Sequence, residues 1–155
     1  MDLLARLRGD DQGAAAAEYA LGQMFANGNG VNQDYVEARV WFLKAAERGN
    51  ALAQSALGDL YYFGRGVQKN AEKCVEWYLK AGDNGTNQAK YGLAMCYREG
   101  AGVPQDYAKA AEWFRKCAAN NVGAAQYELG LLYEQGKGVE KDLTLAHELI
   151  LQAAN

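Results

Sequence analysis

A glycine-rich segment occurs four times in this chain of 155 residues, and successive copies are 36 residues apart. The four copies read GNGVNQDY at 28–35, GRGVQKNA at 64–71, GAGVPQDY at 100–107 and GKGVEKDL at 136–143. The same spacing relates Trp41, Trp77 and Trp113. A constant period of this length is typical of arrays of small units, each of which buries its apolar face only against its neighbours. The chain is therefore predicted to fold as an array of repeated units.

The apolar residues inside one unit recur with the period of an α-helix, because residues three and four positions apart share a helix face. The face of the first predicted helix is formed by Tyr35, Ala38, Phe42, Ala45 and Ala46, with Trp41 at its flank. The face of the second is formed by Ala53, Ala56, Leu57, Leu60 and Tyr61. Each unit is therefore a pair of helices, and the predicted fold class is all-α.

Short polar residues and glycines mark the ends of these helices. A side-chain acceptor that can bind otherwise unpaired amides precedes each first helix; these residues are Asp34, Asn70, Asp106 and Asp142. The first helices are predicted to end in a left-handed conformation at Gly49, Gly85 and Asn121. The Gly-x-Gly pair then ends each second helix and turns the chain towards the next unit.

The repeats divide a single predicted domain, 1–155, into successive parts. These are a partial unit at 1–27, full units at 28–63, 64–99 and 100–135, and a partial, capping unit at 136–155. Leu3, Leu4 and Leu7 are interpreted as the remains of a first helix that precedes the one around Leu21. The last helix is predicted to cap the array. The alternatives are that a second molecule or a continuation of the chain covers its outer edge.

The segment GRGVQKN at 64–70 has two glycines around a basic residue, as some phosphate-binding loops do. A dinucleotide loop also needs a preceding strand and a third glycine, and a Walker loop needs Gly-Lys followed by Ser or Thr. Neither feature is present. The residue between the glycines changes from Asn29 to Arg65, Ala101 and Lys137 along the chain. These loops are therefore predicted to be structural, and no cofactor is predicted.

The combined pattern is Ala-Gln-x-x-Leu-Gly-x-x-Tyr, then Gly-x-Gly-Val, then Asp, then Ala-x-x-Trp-Phe-x-Lys-Ala-Ala. It resembles the Sel-1-like repeat family, and the unit that begins at Gly100 shows it most fully. The resemblance implies a right-handed α-solenoid of antiparallel helix pairs. It also implies a curved scaffold for protein contacts and a bacterial origin.

Composition narrows the partners that such a chain can have. The net charge is −3, and Lys and Arg are scattered among Asp and Glu, which disfavours nucleic acid as a partner. No run approaches the roughly 18 to 20 apolar residues of a membrane span, so no membrane insertion is predicted. Three cysteines at no metal-ligand spacing predict no metal site and favour a reducing compartment. The expected location is cytoplasmic, or periplasmic or secreted if a leader has been removed.

Few residues are candidates for catalysis. His147 is the only histidine, so a triad or a Cys-His pair would have to use it. Cys74, Cys96 and Cys117 stand where other units have Ala or Leu, which predicts buried packing. No catalysis is therefore predicted. The remote alternative is a weak hydrolase that uses Cys117 or His147.

The concave wall of a helical array is lined by its first helices and is the usual place for a partner. The residues opposite their apolar faces are predicted to bind that partner: Glu37, Val40, Lys44, Lys73, Glu76, Lys80, Lys109, Glu112 and Lys116. The recurring Lys44, Lys80 and Lys116 either grip acidic groups or stabilise the last turn of their helix through its dipole. Tyr62 and Phe63 lack aromatic counterparts in later units. They are either an exposed contact or packed under the neighbouring loop.

These features predict a non-catalytic scaffold or adaptor that binds a protein or peptide on its concave face. The alternative within the binding class is an inhibitor or immunity-type partner of a toxin or enzyme. A homodimer through the C-terminal helix is a further possibility.

Overall fold

The computed structural model describes the backbone of residues 3–155 and the side chains from residue 10 onward. Every long regular element in this part of the chain is an α-helix. The helices fall into two compact units, which are Met1–Thr86 and Asn87–Asn155. Among the described helices, none has both the length and the apolar character that crossing a lipid bilayer requires.

The first unit contains four α-helices and one short 3₁₀ helix. These are α1 at Leu3–Asn27, α2 at Tyr35–Glu47, α3 at Ala51–Phe63 and α4 at Ala71–Ala81, with the 3₁₀ helix at Gly82–Asn84. Each α-helix packs against the next one along the chain. One core cluster of the unit lies between α2 and α3, on the faces predicted for them, and is formed by Ala38, Phe42, Ala45, Ala46, Ala53, Leu57 and Leu60. Trp77 of α4 packs against this core.

The second unit repeats this arrangement with four helices. These are α5 at Asn87–Glu99, α6 at Tyr107–Ala119, α7 at Gly123–Gln135 and α8 at Leu143–Ala154. Its fully buried large residues are Leu93 and Phe114. The last helix packs against α7 and buries Ala146, whereas Leu143 and Leu151 are exposed at 61% and 57%.

The predicted capping residues begin all four first helices. Their side chains accept hydrogen bonds from backbone amides of the first turn. The four residues are Asp34, Asn70, Asp106 and Asp142. The amide of each capping residue also donates to a carbonyl at the end of the preceding helix, as Asp106 does to Tyr97 at 2.8 Å. The glycine pairs have the left-handed backbone that this turn needs: Gly64 has φ +68° and Gly66 has φ +67°. A side chain at Gly66 would lie within 2.8 Å of Tyr35. The loops therefore have the structural role predicted for them.

One predicted helix end is wrong. Gly49 and Asn121 have the expected positive φ, but Gly85 is extended, with φ −70° and ψ 170°. The helix ends earlier, at Ala81, because Gly82 occupies the position of Ala46 and Ala118 and adopts φ +54°. Glycine is a poor helix former, and φ +54° is open to it at little cost.

The N-terminal helix also differs from the expectation. The backbone of α1 runs without interruption from Leu3 to Asn27, so there is no separate first helix before Leu21. The side chains of Leu3, Leu4 and Leu7, on which that interpretation rested, lie outside the described residues.

Candidate functional site

The first helices α2, α4 and α6 each have a tryptophan with a lysine over its ring. The ammonium groups of Lys44, Lys80 and Lys116 lie 4.3–4.4 Å from the ring centroids of Trp41, Trp77 and Trp113. Each lysine is in the last turn of its helix, where a positive charge opposes the helix dipole. A cation that lies over an aromatic face is attracted by the electron-rich ring. The repeated Lys–Trp pair is therefore a third reason for the recurring lysine, which the sequence pattern did not reveal.

The residues predicted to bind a partner lie on accessible parts of α2, α4 and α6. Eight of the nine are exposed and Glu37 is half-buried. Val40 keeps 40% of its surface accessible, although it is apolar. Lys80 pairs with Glu76 one turn earlier in α4 at 3.4 Å.

The nine residues do not share one environment. Lys73 and Lys109, in the first turns of α4 and α6, lie over rings of the preceding helices. Their ammonium groups are 5.5 Å from the centroid of Tyr61 and 5.4 Å from that of Tyr97. These two lysines therefore flank the glycine-rich loops, whereas Lys44, Lys80 and Lys116 lie near the opposite ends of the first helices.

Tyr62 and Phe63 combine the two alternatives left open by the sequence. Both rings are exposed, at 38% and 47%, and they contact each other edge to face at 4.9 Å. The following loop also contributes cations to them. The Arg65 guanidinium lies 4.6 Å from the Phe63 centroid, and the Lys69 ammonium lies 5.8 Å from that of Tyr62. The pair is thus an accessible aromatic surface flanked by positive charge.

The same loop borders a basic cleft of the first unit. The cleft has a volume of about 520 Å³, and residues 66–70 form one side of it. Its basic lining residues are Arg39 of α2, Lys69 of the loop and Lys73 of α4, and no carboxylate lines it. Sequence reasoning found only Lys73. The signal for Arg39 in the sequence is that the other units have Val75, Ala111 and His147 at this position.

A hydrogen-bonded pair links α3 and α4 inside the first unit. The Tyr78 hydroxyl donates to Asp59 Oδ1 at 2.6 Å. Burial raises the pKa of the Asp59 carboxyl, while the bond from Tyr78 and the Arg65 guanidinium oppose that rise. Burial, then the charge and hydrogen bond of Asp59, raise the pKa of Tyr78 well above its ordinary value, so its hydroxyl remains a proton donor.

The candidate catalytic residues are far from an activated geometry. Cys117 is fully buried, and its thiol donates to the Asn87 carbonyl at 3.6 Å. Burial raises the pKa of this thiol, although Lys90 opposes the effect, and the thiolate that acts as a nucleophile is disfavoured. His147 lies exposed on α8. Among the side chains described, no three His, Cys, Asp or Glu residues are grouped as metal ligands would be.

The paired helices and the 36-residue period define a helical-repeat protein. A family model described as the Sel1 repeat matches residues 15–50, 51–86, 87–122 and 123–155, and the chain therefore belongs to the Sel1 repeat family. The matched windows begin at the second helix of each predicted unit, so they share the predicted period and differ in its starting point. The resemblance seen in the sequence is confirmed. Proteins of this family are generally scaffolds for protein interactions.

Solved structures of bacterial proteins have a similar fold. One is c5321, a protective antigen present in uropathogenic Escherichia coli strains and described as displaying an SLR fold. It has a TM-score of 0.85 and 36% identity over 92% of this chain and 31% of its own. Another is a Sel1 repeat protein from Oxalobacter formigenes, with a TM-score of 0.84 and 36% identity over 90% of this chain and 58% of its own. This chain thus spans about a third of the length of c5321 and somewhat over half of the length of the Oxalobacter protein.

The cysteine rich protein B of Helicobacter pylori has the same fold at greater distance. Its TM-score is 0.57 and its identity is 24%, over 76% of this chain and 84% of its own. No protein among curated sequences matches the chain. The predicted all-α solenoid of helix pairs is confirmed by these structures and by the family model.

Proposed function

We propose that the protein is a non-catalytic scaffold that binds a protein or extended peptide along the exposed faces of α2, α4 and α6. The observation that carries this proposal is the Lys–Trp pair, which has the same geometry in all three helices. A lysine held over a ring has lost part of its side-chain freedom before it meets a partner, so less conformational entropy is lost on binding. Tryptophan is also among the residues that contribute most to protein interfaces.

The exposed positions between these pairs support selective binding. Val40 corresponds to Glu76 and Glu112, and Val36 corresponds to Glu72 and Ala108, whereas the buried positions keep their apolar character. Each helix therefore offers a different contact on a constant frame. An adaptor and an inhibitor of a toxin or enzyme would both use such a surface, and the identity of the captured protein distinguishes them.

An affinity pull-down from the native host tests this function. The test variant carries Val40→Glu, Lys80→Glu and Lys116→Glu on the three first helices. The matched control carries Leu52→Glu, Lys137→Glu and Lys141→Glu at exposed positions outside those helices and changes the net charge by the same amount. We expect the test variant to lose the partner and the control to retain it. Equal recovery by both variants would rule out this surface.

Thiol alkylation of the native protein tests the hydrolase alternative. A packed Cys117 reacts only after denaturation, as its complete burial predicts. Rapid modification of one cysteine in the native protein would instead indicate an activated thiol and would favour an enzyme.

The homodimer alternative rests on Leu143 and Leu151, which α8 leaves exposed. Light scattering over a concentration series distinguishes the arrangements. A mass that rises towards two chains, and that Leu151→Lys returns to one, would show dimerisation through α8. A constant mass of one chain would exclude it. The cellular compartment stays a prediction.

A further inference from the structure

The basic cleft of the first unit contains a buried donor that has no acceptor. Arg39 Nε is inaccessible and makes no hydrogen bond among the described residues. A buried donor without an acceptor lowers stability, so it is seldom kept without a reason. Arg39 is one of the residues that line the cleft between α2, the loop 64–70 and α4. Because Nε itself is inaccessible, a ligand in the cleft can reach this guanidinium only through its other two nitrogens.

The repeat itself does not require the charges of this cleft. The residues 36 positions after Arg39 and Lys69 are Val75 and Gln105, both uncharged. In the first and third loops this second position has a bracing role, whereas the fourth loop has Lys141 there. Gln33 Nε2 donates to the Ala26 carbonyl, and Gln105 Nε2 donates to the Arg98 carbonyl, each at 2.8 Å. Lys69 instead lies over the Tyr62 ring and adds a charge beside the cleft.

The side chains around the cleft are held in place before any ligand arrives. Lys73 lies over Tyr61 at 5.5 Å, and its amide is already bound by the Asn70 side chain at 2.9 Å. Three positive charges face the same space, and none of the lining residues is acidic. In a protein whose net charge is −3, this local excess of positive charge is complementary to carboxylates. Arginine can also bind a carboxylate through two parallel hydrogen bonds.

We propose that this cleft binds an acidic segment of the partner protein, with its carboxylates at Arg39, Lys69 and Lys73. The inference rests on the proposed interaction function and extends it, because Lys73 also belongs to the predicted partner surface. A peptide fits better than a free anion because the exposed rings of Tyr62 and Phe63 adjoin the charges through Lys69. Those rings would pack against an apolar side chain next to the acidic residues.

The test is a titration of the ¹⁵N-labelled protein with hexaglutamate, hexaglutamine and inorganic phosphate. We expect hexaglutamate to shift the amide signals of residues 64–73 and the Arg39 Nε–H signal, and hexaglutamine to shift neither. Binding should weaken as the salt concentration rises from about 20 to about 200 mM, since exposed charges are then screened. No shift at these residues with hexaglutamate would overturn the proposal. The proposal would also be overturned if phosphate shifted the same signals at a lower concentration than hexaglutamate does. The cleft would then be assigned to a phosphate ligand.

A pair of variants makes the test specific. Arg39→Val with Lys69→Gln introduces residues that the other units already have at these positions, so the fold should be kept. Loss of two charges that contact the ligand should weaken hexaglutamate binding about tenfold. Lys137→Gln with Lys141→Gln removes the same charge elsewhere and should change binding less than about twofold. Equal loss in both variants would show nonspecific attraction and would contradict the proposal.

The same variants separate this inference from the proposed function. We call the variant with Val40→Glu, Lys80→Glu and Lys116→Glu the first-helix variant. The partner captured from the host should be lost both by this variant and by Arg39→Val with Lys69→Gln. Loss with the first-helix variant alone would leave the scaffold function standing and refute the acidic segment. Hexaglutamate binding in the cleft, together with unchanged partner recovery by the first-helix variant, would support the acidic-ligand cleft and refute the first-helix surface.

Discussion

Asp59 and Tyr78 show how one pair of residues departs from an otherwise repeated core. The equivalent pairs in the other units are Gln23 with Phe42, Met95 with Phe114, and Leu131 with Ile150. Only Asp59 is acidic, and only its partner helix supplies a tyrosine hydroxyl, 2.6 Å away. A half-buried carboxylate needs such a donor, since burial without one is costly. The two substitutions therefore belong together.

Removal of the hydroxyl alone should destabilise the protein. Tyr78→Phe leaves the Asp59 carboxylate without its donor and is expected to lower the free energy of unfolding by roughly 1–2 kcal/mol. The double variant Asp59→Met with Tyr78→Phe recreates the pair formed by Met95 and Phe114 and should recover part of that loss. Urea denaturation at neutral pH measures these two variants and the single variant Asp59→Met. A double variant that is no more stable than the sum of the two single effects predicts would contradict the coupling.

The raised pKa of Asp59 predicts a dependence of stability on pH. The carboxyl has an unfolded pKa near 3.8 and a higher pKa in the folded state, so the folded protein binds the extra proton between these values. The contribution of Asp59 to stability is therefore present below about pH 3.8 and is lost as the pH rises through the folded pKa. Asp59→Asn removes this effect. Its stability relative to the unmodified protein should increase from pH 3.8 upward and then level off, as urea denaturation at a series of pH values will show. A difference that stays constant or falls would refute the assignment.

The helix pair α3–α4 depends on a close approach at Gly58. A Cβ built at this residue would lie 2.3 Å from ring atoms of Tyr78, which is itself buried. The pair α5–α6 differs, because Ala94 occupies the equivalent position and is fully buried. The close approach thus recurs at the equivalent Gly22 and Gly130, and the pair α5–α6 is the exception.

Gly58→Ala should destabilise the first unit. The overlap of the added methyl group with the Tyr78 ring costs about 1–3 kcal/mol, and the better helix propensity of alanine offsets up to about 1 kcal/mol of this. The free energy of unfolding is therefore expected to fall by about 1 kcal/mol. Ala94→Gly is the reciprocal control and should also destabilise, through lower helix propensity and lost packing. Urea denaturation measures both changes. A Gly58→Ala variant more stable than the parent would show that α3 and α4 can separate without cost.

Helix positions followed from the sequence, but one helix length did not. The capping residues Asp34, Asn70, Asp106 and Asp142 act locally, so the pattern predicted where each first helix begins. The extended backbone at Gly85, after the early end of α4, is accompanied by contacts with another helix. Gly85 would place a Cβ 3.0 Å from the Ser55 hydroxyl, which accepts the Thr86 amide at 3.1 Å. The repeat pattern reported a glycine at residue 85 but not that Ser55 of α3 lies beside it.

At the scale of the whole chain, the period predicted the fold class and the exposed faces of the first helices. It could not predict the basic cleft, because Arg39, Lys69 and Lys73 occupy three different positions of the repeat. A comparison of equivalent positions emphasises what is constant, whereas this cleft consists of residues that vary. The Lys–Trp contacts were missed for a related reason: the recurrence was visible, but the distance between ammonium group and ring was not.

Photo-crosslinking in the native host tests most directly whether the first helices bind a partner. A photoreactive phenylalanine analogue replaces Val40, Glu76 or Glu112 in turn, and Leu52 of α3, which is also exposed, serves as the control position. The scaffold function predicts an adduct with one and the same protein from the three first-helix positions and none from Leu52. Adducts from Leu52 alone, or no adduct from any first helix, would contradict it.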